Sequence, residues 1–163
     1  MPKRIDPKTL PVHLGTFYPP PHHQPCKARE RRKLGDAAGL TQYGVNLLRL
    51  PPGVWSSQRH WHTEQDEFVY VLEGEVVLVT DAGEEILKPG DCAGFKAGDK
   101  DGHHLQNRSK SDALLLEVGT RLPNDAGEYP DIDMAFQMGG TAMYTRKDGT
   151  PYTDIKRRGP DDD

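Results

Sequence analysis

Only two cysteines, Cys26 and Cys92, occur in the 163 residues, far apart and in no CxxC pattern. Nothing therefore suggests a disulfide scaffold, and free thiols are expected. No apolar run approaches the ~18 residues a bilayer-crossing helix needs. The basic start, Met1 to Lys8, leads into no apolar stretch, so no signal peptide is expected and a cytoplasmic location is the default. Neither charge sign dominates: 21 basic and 25 acidic side chains leave a net charge of −4. That balance excludes a strongly basic nucleic-acid binder and a highly charged disordered chain.

Large apolar side chains are also scarce and unevenly placed. Leu, Ile, Val and Phe number 32, and 23 of them fall within residues 40–122. The folding unit is expected there, between an N-terminal arm (1–39) and a C-terminal extension (123–163). Neither arm can bury much alone, so each is expected to pack on the central unit, pack on a second copy, or stay mobile. Pro19-Pro20-Pro21 bars a helix in the first arm and favours extended geometry. The basic run from Lys27 to Lys33 reads as a solvated face or a short helix. Asp161-Asp162-Asp163 reads as a frayed tail.

What the chain has in quantity is turn residues, 17 glycines and 14 prolines. Pro51-Pro52-Gly53, Glu73-Gly74-Glu75, Asp81-Ala82-Gly83 and Pro89-Gly90-Asp91 divide the centre. Strands are expected at 43–50, 55–62, 67–72, 76–80, 85–88, 92–95, 103–107 and 113–119. Short strands at this spacing point to an all-β antiparallel sandwich or barrel, with an interior where inward side chains meet.

His60-Trp61-His62 places two imidazoles on one face of an extended segment, with Ser56 and Gln58 on the same side if the strand is regular. Glu67 opens the next strand, with Glu64 and Asp66 in the preceding turn as alternatives. His103 and His104 begin another strand and point oppositely. His103 shares its face with Leu105, the more apolar set, and is favoured for the interior. Three imidazoles and a carboxylate suit one divalent first-row metal, with open positions for water or substrate.

These residues resemble the two motifs of the cupins, specifically the small single-domain conserved-barrel (cupin 2) type. The first motif reads Gly53, His60, His62, Glu67 and Gly74. The second reads Gly90, Lys96-Ala97-Gly98, His103 and Asn107. Lys96 stands where proline is usual, and four residues rather than two separate Gly98 from His103. The resemblance implies an antiparallel double-stranded β-helix, a jelly-roll barrel, spanning 40–122 with N- and C-terminal extensions. It implies one divalent transition metal per chain (Mn, Fe, Zn or Ni) held by His60, His62, Glu67 and His103. A homodimer is also implied, with the proline-rich arm suited to strand exchange.

Cupins catalyse isomerisation, dioxygenation and decarboxylation, and some only bind a ligand, so fold alone leaves function open. The expectation is a metal-dependent enzyme acting on a small polar metabolite, through sugar-phosphate isomerase-like or dioxygenase/decarboxylase-like chemistry. The alternative is a non-catalytic metal-assisted binding or sensor protein. An inward ionisable residue outside the metal set would favour the enzyme. Ser56, Gln58 and Lys96 are candidate substrate contacts, and Lys100 and Arg108 are further candidate cations at the barrel mouth. Small-molecule binding is expected, with no nucleic-acid or membrane partner.

Overall fold

Strand β3 (Tyr43–Leu50) ends at the Pro51-Pro52-Gly53 turn and pairs antiparallel along its whole length with β10 (Ala113–Thr120). β10 pairs on its other side with β5 (Glu67–Glu73), which in turn pairs with β8 (Cys92–Phe95). In β5 the two-residue period is visible in burial: Val69 and Val71 are buried, while Phe68, Tyr70 and Leu72 are exposed. A second, three-stranded sheet has the order β7 (Gly83–Leu87), β6 (Val76–Thr80), β9 (His104–Gln106). Leu48, Leu50, Val71 and Leu115 from the first sheet meet Val76, Leu78 and Leu105 from the second, and this contact is the main core. Each such aliphatic contributes about 1.5–3 kcal/mol by leaving water. The computed structural model describes residues 4–163; Met1, Pro2 and Lys3 of the basic start lie outside the described residues. The fold is the expected all-β antiparallel jelly roll, and Cys26 and Cys92 are free thiols. Among the described residues no helix is long and apolar enough to cross a membrane.

The turn between β5 and β6 depends on Gly74. Its φ is +73°, and a Cβ there would lie 2.4 Å from the carbonyl oxygen of Asp112. A side chain would be both strained and obstructed.

Several local expectations need correction. The basic run is neither helix nor solvated face. Residues Glu30–Lys33 form β2, which extends the first sheet by pairing with β3, and β1 (His13–Leu14) pairs with β2. Antiparallel pairing satisfies the backbone while alternation turns Arg29, Arg31 and Lys33 to the interior side. A short helix, α1 (Leu34–Ala38), follows and ends at Gly39 in the left-handed region. The expected strand 55–62 is reduced to β4 (Trp61–His62). Residues 55–60 bend instead, because Ser56 both donates its amide to Leu105 O and accepts from Leu105 N on its hydroxyl. The strand expected at 103–107 begins at His104, while His103 forms an isolated bridge with His60.

The C-terminal extension is built into the molecule. β11 (Ala126–Tyr129), β12 (Met134–Gln137) and β13 (Tyr144–Thr145) form a sheet whose far edge is β4. A second core of Tyr18, Cys26, Tyr129 and Met134 joins the two arms. The tail is also anchored: Asp162 accepts from Gly159 N on its carboxylate and from Lys27 Nζ on its carbonyl.

Candidate functional site

Three segments deliver four side chains to one point. β4 is clamped by pairing with β11, Gly127 opposite His62, so His62 projects inward beside His60. Glu67, the first residue of β5, faces inward in line with Val69 and Val71. His103 enters from the segment leading into β9. Oε2 of Glu67 lies 3.5 Å from His60 Nε2, 3.3 Å from His62 Nε2 and 2.8 Å from His103 Nε2. Phe95 stacks flat on the His103 ring at 3.5 Å between centroids and restrains it.

Hydrogen bonds outside the cluster orient the rings. His60 Nδ1 donates to the Gln58 carbonyl at 2.8 Å, and His62 Nδ1 donates to Asp125 Oδ2 at 2.6 Å. A carbonyl and a carboxylate only accept, so both Nδ1 atoms carry protons, and a neutral ring then offers its Nε2 lone pair inward. Asp125 is itself fixed: 1% exposed, it also accepts from the amides of Glu64 and Gln65. Nε2 of His62 is buried yet makes no hydrogen bond of acceptable geometry, despite its closeness to Glu67. An unpartnered imidazole nitrogen beside two further imidazoles and a carboxylate fits a divalent transition metal. His60, His62 and Glu67 have ligand atoms within 4.8 Å of one another, and His103 approaches the same carboxylate oxygen.

Electrostatics agree with a site that wants a cation. Burial disfavours the His62 imidazolium, but Glu67 and Asp125 outweigh it and raise the pKa to about 9. Burial would raise Glu67, yet the hydrogen-bonded His103 and the close imidazoles of His60 and His62 hold it well below the usual carboxylate range. His103 is lowered by burial.

The four donors lie in the wall of a cavity of about 410 Å³. Ser56 lines it, with its hydroxyl engaged by Leu105 N. The other candidate contacts are placed differently. Gln58 is not in the cavity wall; its amide donates to the His22 carbonyl, because the 55–60 segment bends instead of running as a strand. Lys96 is exposed beside a neighbouring opening of about 270 Å³ that shares His62, Glu67 and His103. Lys100 lies over the Trp61 ring, and Arg108 pairs with Glu84 on another face. His104 turns its ring away from the cluster, with Nδ1 on the Ser57 carbonyl and Nε2 against the Gln106 amide. Glu64 and Asp66 are exposed in the turn.

The cavity's cations come instead from the N-terminal arm and the end of β10: Arg29, Arg31, Lys33 and Arg121. Arg29 is buried and tethers the arm through Gly15 O, Thr16 Oγ1 and Ser56 O. Arg31 makes a bidentate pair with Glu117 at 2.7 and 2.9 Å. The 29, 31, 33 spacing was the available signal for these residues, since alternate positions on a strand share a face. For Asp125 no local signal existed.

The cupin domain family model matches residues 46–119. A crystal structure of a sugar phosphate isomerase from a cupin superfamily, from Silicibacter pomeroyi DSS-3, is 46% identical. It covers 94% of this chain and 100% of its own, with a TM-score of 0.88. A structure from Acidithiobacillus ferrooxidans, under a provisional sugar phosphate isomerase name, is 27% identical, covering 78% of this chain and 81% of its own at TM-score 0.70. A predicted oxalate decarboxylase from Thermotoga maritima, 20% identical, covers 74% of this chain and all of its own at TM-score 0.61, a likeness of fold. No curated protein sequence matches the chain. Motifs, barrel and whole-length similarity agree: the chain belongs to the cupin superfamily.

Proposed function

We propose that this protein is a metal-dependent isomerase of phosphorylated sugars, with His60, His62, Glu67 and His103 holding one divalent cation. One observation carries the reading: a metal-donor cluster opens into a cavity walled by four cationic side chains, although the whole chain is net acidic. Such a wall selects an anionic ligand by field as well as by contact. The similarity to a sugar phosphate isomerase over the whole chain supports the same substrate class.

The bound metal would supply Lewis acidity toward carbonyl and hydroxyl oxygens. The protein supplies the rest. Asp125 and the Gln58 carbonyl hold the His62 and His60 rings in place, so the cluster does not reorganise when a substrate arrives. Aldose–ketose isomerisation moves a proton between adjacent carbons and needs an acceptor in the cavity. Apart from Glu67, Glu117 is the carboxylate in the cavity wall, positioned by Arg31. It is the inward ionisable group outside the donor set that favours an enzyme over a simple binder. In this reading Glu117 accepts the proton at one carbon and returns it to the other.

The test is elemental analysis of purified protein, followed by NMR of metal-loaded protein with pentose and hexose phosphates in deuterated water. Deuterium entry beside the carbonyl, with aldose and ketose interconverting, supports the reading. Metal-loaded protein that exchanges no carbon-bound proton in any of these sugars overturns it.

A further inference from the structure

Two glycines, Gly119 and Gly44, line the cavity between the donor cluster and Arg121. Glu67 on β5 is opposite Gly119 on β10, and Gly119 is opposite Gly44 on β3. Neither glycine has a positive φ, so backbone conformation does not require them. What glycine provides at these two positions is the absence of a side chain. They make a bare lane across three strands on the cavity side. Two strand spacings set its length at about 10 Å from Glu67 to Gly44.

Cations stand at the far end of the lane. The Arg121 guanidinium lies over Gly44: a Cβ there would meet Arg121 Nη2 at 3.4 Å. Lys33, opposite Asn46, faces the same end from β2. The two differ from the deeper cations. Arg29 is committed to Gly15, Thr16 and Ser56, and Arg31 to Glu117 in a bidentate pair. Lys33 and Arg121 instead share one carboxylate, Asp36, with Lys33 Nζ 3.7 Å from Oδ2 and Arg121 on Oδ1. Both side chains are partly exposed, and Arg121 also donates Nη1 to the Leu40 carbonyl, which leaves its other N–H groups and the Lys33 ammonium without a second carboxylate partner among the described residues. One carboxylate against two cations leaves a net positive charge there.

We infer that Lys33 and Arg121 form the phosphate-binding subsite, and that the Gly119–Gly44 lane holds the sugar between that subsite and the donor cluster. The inference rests on the phosphorylated-substrate reading above and adds its orientation: phosphate at the mouth, reacting carbons inside. Arg121 is the directional contact, since a guanidinium presents paired N–H groups to phosphate oxygens, and Lys33 adds a point charge. Asp36 holds both in place when no anion is bound.

The experiment is calorimetric titration of the full-length metal-loaded protein with inorganic phosphate. The comparison includes Lys33→Ala, Arg121→Gln and, as a surface control, Arg108→Gln. Wild type and Arg108→Gln should bind alike, and the two subsite variants about tenfold more weakly. No binding to wild type, or equal binding to all four proteins, overturns the subsite. The isomerase assay separates this result from the parent reading. Phosphate binding that needs Lys33 and Arg121, without isomerisation of any sugar phosphate, removes the reaction and leaves an anion subsite. Isomerisation with an unchanged KM in both variants keeps the reaction and removes the subsite.

Discussion

Asp125 accepts a 2.6 Å hydrogen bond from His62 Nδ1, linking the C-terminal extension to the donor cluster. The carboxylate fixes the proton on Nδ1 and raises the ring's electron density at Nε2, which strengthens it as a ligand. Asp125→Asn should therefore weaken metal affinity by about 10–100-fold while leaving the barrel folded. Chelator competition measures the affinity, and circular dichroism checks the fold. An Asn variant with wild-type affinity would show that the contact only staples the 62–65 turn.

The adjacent histidines should separate cleanly. His103 is 2.8 Å from Glu67 and stacked on Phe95, while His104 is engaged with Ser57 and Gln106. Wild type should bind about one divalent ion per chain; His60→Ala, His62→Ala and His103→Ala should each lose most of it, and His104→Ala should retain it. Elemental analysis after dialysis against metal-free buffer is the measurement. Retention in His103→Ala with loss in His104→Ala would reverse the assignment.

Metal binding should be proton-coupled. In the metal-free protein His62 titrates near 9, so at pH 7 its ring carries a proton that a metal must displace. Affinity should rise about tenfold per pH unit between pH 6 and 8 for one released proton. The stability of the metal-free protein runs the other way. A folded-state pKa raised from 6.5 to about 9 contributes stability that is complete below about 6.5 and disappears as pH rises through 9. Thermal melts of chelator-treated protein should lose Tm over that interval, and metal-loaded protein should not. An identical metal affinity at pH 6 and pH 8 would contradict the proton release.

Much of this site was legible because strand geometry converts spacing into direction. HxH at positions 60 and 62, a carboxylate opening the next strand and a histidine beginning another were enough to draw the cluster. The turn residues placed most of β3 to β10. What could not be read was long-range. Asp125 reaches His62 across 63 residues, brought there by the pairing of β11 with β4 and by its bonds to the 63–65 turn. Gln58 was misplaced because Ser56 trades strand pairing for a bend against Leu105, a choice that propensity does not encode. The basic run of the first arm looked like surface because a strand edge waiting for it, β3, is invisible in a linear chain.

Glu117 provides a kinetic prediction. If it carries the proton between carbons, Glu117→Gln should lower kcat by about 10²–10⁴-fold with little change in KM or metal content. Gln keeps the shape and can still hydrogen-bond Arg31, so a purely structural role would leave turnover nearly intact. Deuterium exchange at the carbon beside the carbonyl should fall in parallel. A Gln variant with wild-type exchange would assign the proton transfer elsewhere.

Gly127 should be intolerant of any side chain. A Cβ there would lie 1.9 Å from the Trp61 carbonyl oxygen and 2.6 Å from the Phe136 ring. Both neighbours are committed: Trp61 pairs within the β4–β11 ladder, and Phe136 packs edge-on against His62 at 5.1 Å. Gly127→Ala must push β11 off β4, costing about 1–3 kcal/mol or more in overpacking. The same displacement carries Asp125 away from His62, since only Ala126 lies between Asp125 and Gly127. The variant should lose Tm and metal affinity together, whereas Gly39→Ala, where a Cβ meets nothing within 4 Å but φ is +77°, should lower Tm alone. Melting curves and chelator competition on both variants test this. Wild-type metal affinity in folded Gly127→Ala would mean that the C-terminal sheet does not position the donor cluster.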